Sequence, residues 1–207
     1  MIKIYSPQKI EQILSSLEPE INDICSRYKL PPAFLKAILT REMKEIDFLD
    51  LIADTAVFCN WQRAKLTRVF PDLSGKESTR GDLLRKYDSS TGYGQIFART
   101  AIQAIRFAIE RGLTTTEALG LGKDRSLSVD SPADRWEVWS RLHKEVAFNL
   151  TCSALNVILS AWEMTGKTDF TLFTPEDIKL TFTRYNADVR QITPSGEEAY
   201  QSYLHYC

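Results

Sequence analysis

The sequence predicts a mainly α domain with at most one small β-hairpin. Three observations carry that prediction. Apolar residues recur at helical spacing through most of the chain, and proline-bearing cap signals open one segment after another. No stretch shows the sustained alternation of a half-buried strand.

The elements follow in chain order. Ser6-Pro7 pairs a capping hydroxyl with proline at the first helical position and opens a helix with Ile10, Ile13 and Leu14 on one face. Glu18-Pro19-Glu20 is expected to break it, because an interior proline lacks the amide donor a helix needs. A second helix carries Ile21, Ile24 and Cys25, then Tyr28 and Leu30. The pair Pro31-Pro32 opens the next, where Leu35, Ile38 and Leu39 form a stripe continuing through position 42 to Ile46. Residues 47–70 are helical, with Phe48, Leu51, Phe58, Trp61 and Leu66 in the apolar set. Pro71 to Gly81 is rich in turn formers, and Asp82 to Tyr87 reads as a short helical piece.

A small hairpin fits Thr91 to Phe97. Thr100 to Glu110 is amphipathic and is closed by Gly112. Thr114 to Glu117 starts a brief helix ending near Gly120. Asp130-Ser131-Pro132 opens the longest helical stretch, which runs toward Thr165 and is long enough to hold a break near Phe148 to Cys152. Thr174-Pro175-Glu176-Asp177 places a hydroxyl cap, a proline and two acids at a helix start, and that helix runs to Tyr185. Ser195 precedes a last helix whose Tyr200, Tyr203 and Tyr206 read as a docking stripe. No linker or repeat divides the chain, so residues 1–207 are expected to form one domain.

Composition narrows the function classes. With 207 residues, 43 % apolar and 26 % charged, the chain can build a sizeable core. A net charge of −1 offers no global field for nucleic acid or an anionic membrane. Arg41, Lys44, Arg63, Lys65 and Arg68 read as a solvated face or as a local basic groove. No apolar run approaches transmembrane length, so no stable membrane insertion is expected. The first residues lack a secretory signal, which predicts synthesis in the cytoplasm and reduced thiols at Cys25, Cys59, Cys152 and Cys207. Two histidines, His143 and His205, are too few and too distant for a zinc site, so no metal or cofactor is expected. His143, one turn from Trp139, reads as a packed or surface residue.

The stripe of the third helix carries a glutamate at position 42, in its last turn. Desolvation and the negative end of the helix dipole both disfavour the ionised form, so a raised pKa is expected, as a general acid near neutral pH requires. About fifty positions later comes Asp88-Ser89-Ser90-Thr91-Gly92-Tyr93-Gly94-Gln95-Ile96. Its two glycines flank an aromatic and permit close backbone approach to a ligand. Asp88 supplies an acceptor and Gln95 an amide.

These pieces carry a resemblance. Pro31-Pro32-Ala33, Ala37-Ile38 and Glu42, then Gly92-Tyr93-Gly94-Gln95-Ile96 with Thr100-Ala101, then Arg184-Tyr185-Asn186-Ala187, are similar in order to three motifs of one group. That group is the lytic transglycosylases and goose-type lysozymes of the lysozyme-like superfamily. The chain departs from its pattern at Met43, where the group has serine after the glutamate, and at Ala98-Arg99, where it has proline. Residues 47–87 read as a helical insertion relative to it.

The resemblance implies a lysozyme-like domain that cleaves the β-1,4 bond between N-acetylmuramic acid and N-acetylglucosamine in a peptidoglycan glycan strand. Glu42 would protonate the bridging oxygen. Gly92, Tyr93 and Gln95 would line the sugar site, Tyr185 and Asn186 would shape it beside the acid, and Asn149 would pack behind it. Asp88 would position a water, although its residues alone read equally as an Asx turn. One carboxylate gives an intramolecular, anhydro-forming route; a second, roughly 6.5–9.5 Å away, allows inverting hydrolysis.

Such an enzyme without a signal would act in the periplasm or cell wall as an exported effector or a phage-type lysin, with an inhibitor or immunity protein as a further partner. Two alternatives stand beside this: a chitin or chitosan hydrolase on the same fold, and an inactive helical module that binds glycan or protein. Trp61, Trp136, Trp139 and Trp162 could stack on sugars, but their helical spacing favours core packing.

Overall fold

A computed structural model describes residues 3–70, 73 and 86–207. The architecture is mainly helical, as expected. Eight α-helices are found among the described residues, in the order α1 (Pro7–Tyr28), α2 (Pro32–Glu45), α3 (Phe48–Thr67), α4 (Ala98–Glu110), α5 (Pro132–Lys144), α6 (Val146–Thr165), α7 (Pro175–Asn186) and α8 (Pro194–Tyr206). The hairpin reduces to one antiparallel bridge, Thr91 to Ile96. No described helix is long and apolar enough to cross a membrane.

Two helices form the middle of the structure. In α6 the residues from Phe148 to Ile158 are all buried, and Ser160 and Ala161 extend the run. It packs against α1, α2, α4, α5 and α7. Helix α2 buries Phe34, Leu35, Ile38, Leu39 and Met43 among others, and lies against α1, α6 and α8. Helices wrapped on every side lose the one-sided pattern of a surface helix and turn hydrophobic almost all round.

Several element boundaries differ from expectation. Helix α1 runs straight through Pro19. That proline is exposed, as is Ser15 one turn earlier, so water can satisfy the freed carbonyl. Ile10, Ile13 and Leu14 before it, and Ile21, Ile24 and Cys25 after it, bury on the same side and offset the cost of the missing bond. The long stretch breaks at Glu145 (φ −110°, ψ 104°) rather than near Phe148 to Cys152. Thr114 to Gly120 makes a turn, with no helix. The last helix begins at Pro194, capped by Thr193. Most of the expected helical piece from Asp82 to Tyr87 lies outside the described residues; Lys86 and Tyr87 are not helical.

Helix α3 is held largely through side chains. Asp47 caps it by accepting from the Leu49 amide at 2.8 Å, while Asp50 accepts from the Asp47 amide at 2.9 Å. Further along, Trp61 Nε1 donates to the Tyr87 carbonyl at 2.8 Å and Asn60 Nδ2 to that of Lys86 at 2.9 Å. These bonds bring the returning segment 86–91 alongside α3 and set one wall of a cleft.

Candidate active site

The cleft lies where the N-terminal segment, the α2–α3 corner, the glycine turn and the α5–α6 junction meet. It encloses about 240 Å³ and is lined by Tyr5, Asp50, Asp54, Tyr93, Gln95 and His143, with Gly92 and Asn149 behind. Ile4 N donates to the Ile46 carbonyl at 3.1 Å, which seats Tyr5 at the rim with its ring 6.4 Å from that of Tyr93.

Glu42 ends the apolar stripe of α2 and is 6 % exposed. Burial pushes its pKa up to about 7, against the opposing pull of Arg41. Arg41 Nη1 donates to Glu42 Oε1 at 2.8 Å and also to Asn186 Oδ1. The Asn186 amide nitrogen in turn donates to the Phe182 carbonyl at 3.0 Å, which orients its oxygen toward the guanidinium. Asn186 therefore acts through Arg41.

The glycine turn is fixed from behind. Tyr185 donates its hydroxyl to the Gly94 carbonyl at 2.8 Å. Its pKa is raised by burial and by the negative charge of Glu42, so the two side chains feel one another. Asn149 accepts from the Gly94 amide at 2.9 Å and donates to the Thr91 and Leu142 carbonyls at 2.9 and 3.2 Å. With both its amide groups committed to backbone, Asn149 holds the turn and has no donor left for a ligand. Gly94 has no alternative here: a Cβ would sit 1.9 Å from Ser153 Oγ. Gln95, at φ +43°, donates from Nε2 to the Gly92 carbonyl at 2.8 Å.

Asp88 is placed otherwise than the resemblance implied. It is 1 % exposed and lies beneath the start of α4. Oδ1 accepts from the Ala98 amide at 2.9 Å and Oδ2 from that of Arg99 at 3.0 Å. Arg135 Nη2, equally buried, lies 3.4 Å from Oδ2. This is a helix cap and a buried ion pair, not a carboxylate facing water in the cleft.

The carboxylates that do line the cleft are Asp50 and Asp54 of α3, neither singled out by the sequence. Asp54 accepts from Ser89 Oγ at 2.6 Å and from Thr91 Oγ1 at 2.7 Å. His143 Nδ1 lies 2.9 Å from Thr91 Oγ1 and 3.3 Å from Asp54 Oδ2, and its ring stacks on Trp139 at 5.1 Å. His143, expected to be a packed or surface residue, is both: it stacks on Trp139, is partly exposed, and lines the cleft. Helical spacing on α5 could have shown that Trp139 and His143 share a face; nothing local showed that Asp54 meets them. Of the tryptophans, Trp61 and Trp139 are buried as expected, while Trp136 and Trp162 are half-buried.

A larger hollow of about 620 Å³ lies between α3 and α5, around Trp61, Lys65 and Trp136. Its charged groups are already engaged: Lys65 Nζ sits 4.1 Å over the Trp136 ring within the hollow, Glu137 pairs with Arg125, and Arg141 pairs with Glu145. Asp50, Asp54 and His143 line the smaller cleft, and Glu42 is not among its lining residues. Comparison with protein-family models, with curated proteins and with solved structures finds no match for this chain.

Proposed function

We propose that this chain is a glycosidase of lysozyme-like architecture, cleaving β-1,4 bonds of peptidoglycan with Glu42 as general acid. One observation carries the reading: a buried carboxyl, its pKa pushed up to about 7 by desolvation, acts electrostatically on Tyr185, whose hydroxyl holds the glycine turn that lines a small cleft. A protonated carboxyl at neutral pH is what departure of a sugar oxygen requires, because the leaving alkoxide must take up a proton as the bond breaks. Arg41 and Asn186 hold that carboxyl in place, and Tyr185 and Asn149 hold the turn across from it.

A second reading, cleavage of chitosan, is favoured by a specific feature. Asp50 and Asp54 line the cleft, and carboxylates attract the ammonium groups of glucosamine more than the lactyl carboxylates of a peptidoglycan strand. Digestion of purified cell walls beside chitosan and chitin oligomers separates these substrates.

Glu42→Gln tests both. It keeps the size of the side chain and an acceptor for Arg41 but has no proton to give. Cleavage of the preferred glycan is expected to fall by about 100-fold or more. Unchanged cleavage by this variant removes Glu42 from the mechanism.

A further inference from the structure

We propose that His143, held by Asp54, is the base that activates the attacking water in this cleft. The inference rests on the glycosidase reading and replaces the second carboxylate that Asp88 does not provide.

The hydrogen-bond chain fixes the histidine's tautomer. Asp54 as a carboxylate only accepts, so the single proton of Thr91 Oγ1 points to Asp54 Oδ2, 2.7 Å away. Toward His143 the same oxygen must then accept, which requires the ring proton on Nδ1, at 2.9 Å. In the neutral ring, Nε2 carries the lone pair. On the other side of Asp54, Ser89 Oγ gives its proton to Oδ1 at 2.6 Å and accepts from Trp139 Nε1 at 3.0 Å. Each hydroxyl donates once and accepts once, so two arms, one from Trp139 through Ser89 and one from His143 through Thr91, both run toward the Asp54 carboxylate.

Position follows from the same contacts. Nδ1 faces inward to Thr91 and Asp54, and the ring lies nearly parallel to Trp139, at 9°. The side chain is 41 % exposed and lines the cleft, and the contacts to Thr91 and Asp54 are made by Nδ1 and not by Nε2. An imidazole whose Nδ1 is held by Thr91 Oγ1 beside the Asp54 carboxylate is an oriented ring, with Nε2 as the nitrogen that takes up a proton. Asp50 links the acid to this cleft: its charge acts on Glu42, and it lines the cleft together with His143.

The step balances. Water oxygen bonds to the anomeric carbon, and the bond from that carbon to the bridging oxygen breaks. The bridging oxygen takes the Glu42 proton, and the water proton goes to His143 Nε2. Solvent then returns a proton to Glu42 and removes one from His143. The product is a reducing sugar of inverted configuration, with no 1,6-anhydro ring.

The experiment uses the full chain on whichever glycan the wild type cleaves, in heavy-oxygen water, with products read by mass spectrometry. Reducing ends carrying one solvent oxygen are expected. His143→Gly should lower kcat by about 100-fold with KM little changed, and added imidazole should restore turnover. Asp54→Asn should lower kcat as well. His143→Gln, which keeps a planar group on Trp139, gives the same kcat reading if glycine weakens α5. A folded His143→Gly with wild-type kcat, a loss that imidazole leaves untouched, or products that are only anhydro sugars each overturn the dyad while Glu42 keeps its role. Failure of the wild type to cleave cell walls, chitin or chitosan overturns both readings together.

Discussion

At the residue scale, Glu42 sets opposing effects against each other. Removing a carboxylate from water raises its pKa, and the neighbouring guanidinium of Arg41 lowers it; desolvation wins and leaves the value near 7. Folding has raised this pKa from 4.5, so the protonated group contributes stability that is complete below about pH 4.5 and is lost as the pH climbs through about 7. As a general acid it fails over the same range, and cleavage should decline on the alkaline side of neutrality. Glu42→Gln stays neutral throughout. Measured by urea unfolding at pH 5 and pH 8, its stability relative to wild type should rise by roughly 2–3 kcal/mol at the higher pH. A constant difference between the two would mean that the carboxyl ionises as freely in the fold as in the unfolded chain. Glu42 was legible because its neighbours on the stripe, Ile38 and Leu39, are one turn away. Asp54 and His143 were not, because what makes them a pair is an approach across 89 positions of sequence.

At the scale of elements, the segment carrying the glycine turn is pinned by Asp88 to two helices at once. Its oxygens cap α4 at Ala98 and Arg99, and Arg135 of α5 faces the same carboxylate. Asp88→Asn puts an amide nitrogen toward the donors at Ala98 or Arg99 and removes a buried negative charge from beside Arg135. That should cost about 3–5 kcal/mol of stability, read from the urea midpoint. The kcat of the folded variant should stay within a few-fold of wild type. A loss of kcat at unchanged stability would instead put Asp88 in the chemistry. The motif showed where the turn would be but not which way its aspartate would point, since an Asx turn, a helix cap and a water ligand share one local sequence. Pro19 makes the same point for α1. A breaker is read locally, whereas the apolar residues that override it bury only in the assembled molecule.

At the scale of the whole molecule, one end of α2 is locked so that the other can present the acid. The Phe34 ring meets Phe170 at 4.8 Å, Phe182 at 5.4 Å and Tyr203 at 4.9 Å, so the start of α2 is set into the C-terminal helices. The same α7 that supplies Phe182 ends at Tyr185 and Asn186, which brace the turn and Arg41. The docking stripe read from Tyr200, Tyr203 and Tyr206 is therefore what carries the third motif to the first. Its partner ring was invisible in sequence because Phe34 lies 169 positions earlier. Phe34→Ala should cost about 3–5 kcal/mol, because the rings of Phe170, Phe182 and Tyr203 cannot all collapse into the space it leaves. At roughly 2–4 °C per kcal/mol, the melting temperature should fall by about 6–20 °C. Three of the four tryptophans report on a different region: Trp61, Trp136 and Trp139 cluster at α3 and α5, while Trp162 lies on α6 against Phe107. If the chain is one cooperative unit, the Phe34→Ala melt followed by tryptophan fluorescence coincides with that followed by helical circular dichroism. Two separate transitions, with the tryptophan signal unmoved, would divide the molecule at the cleft and make the placement of α2 against α3 and α5 a property of how two units dock.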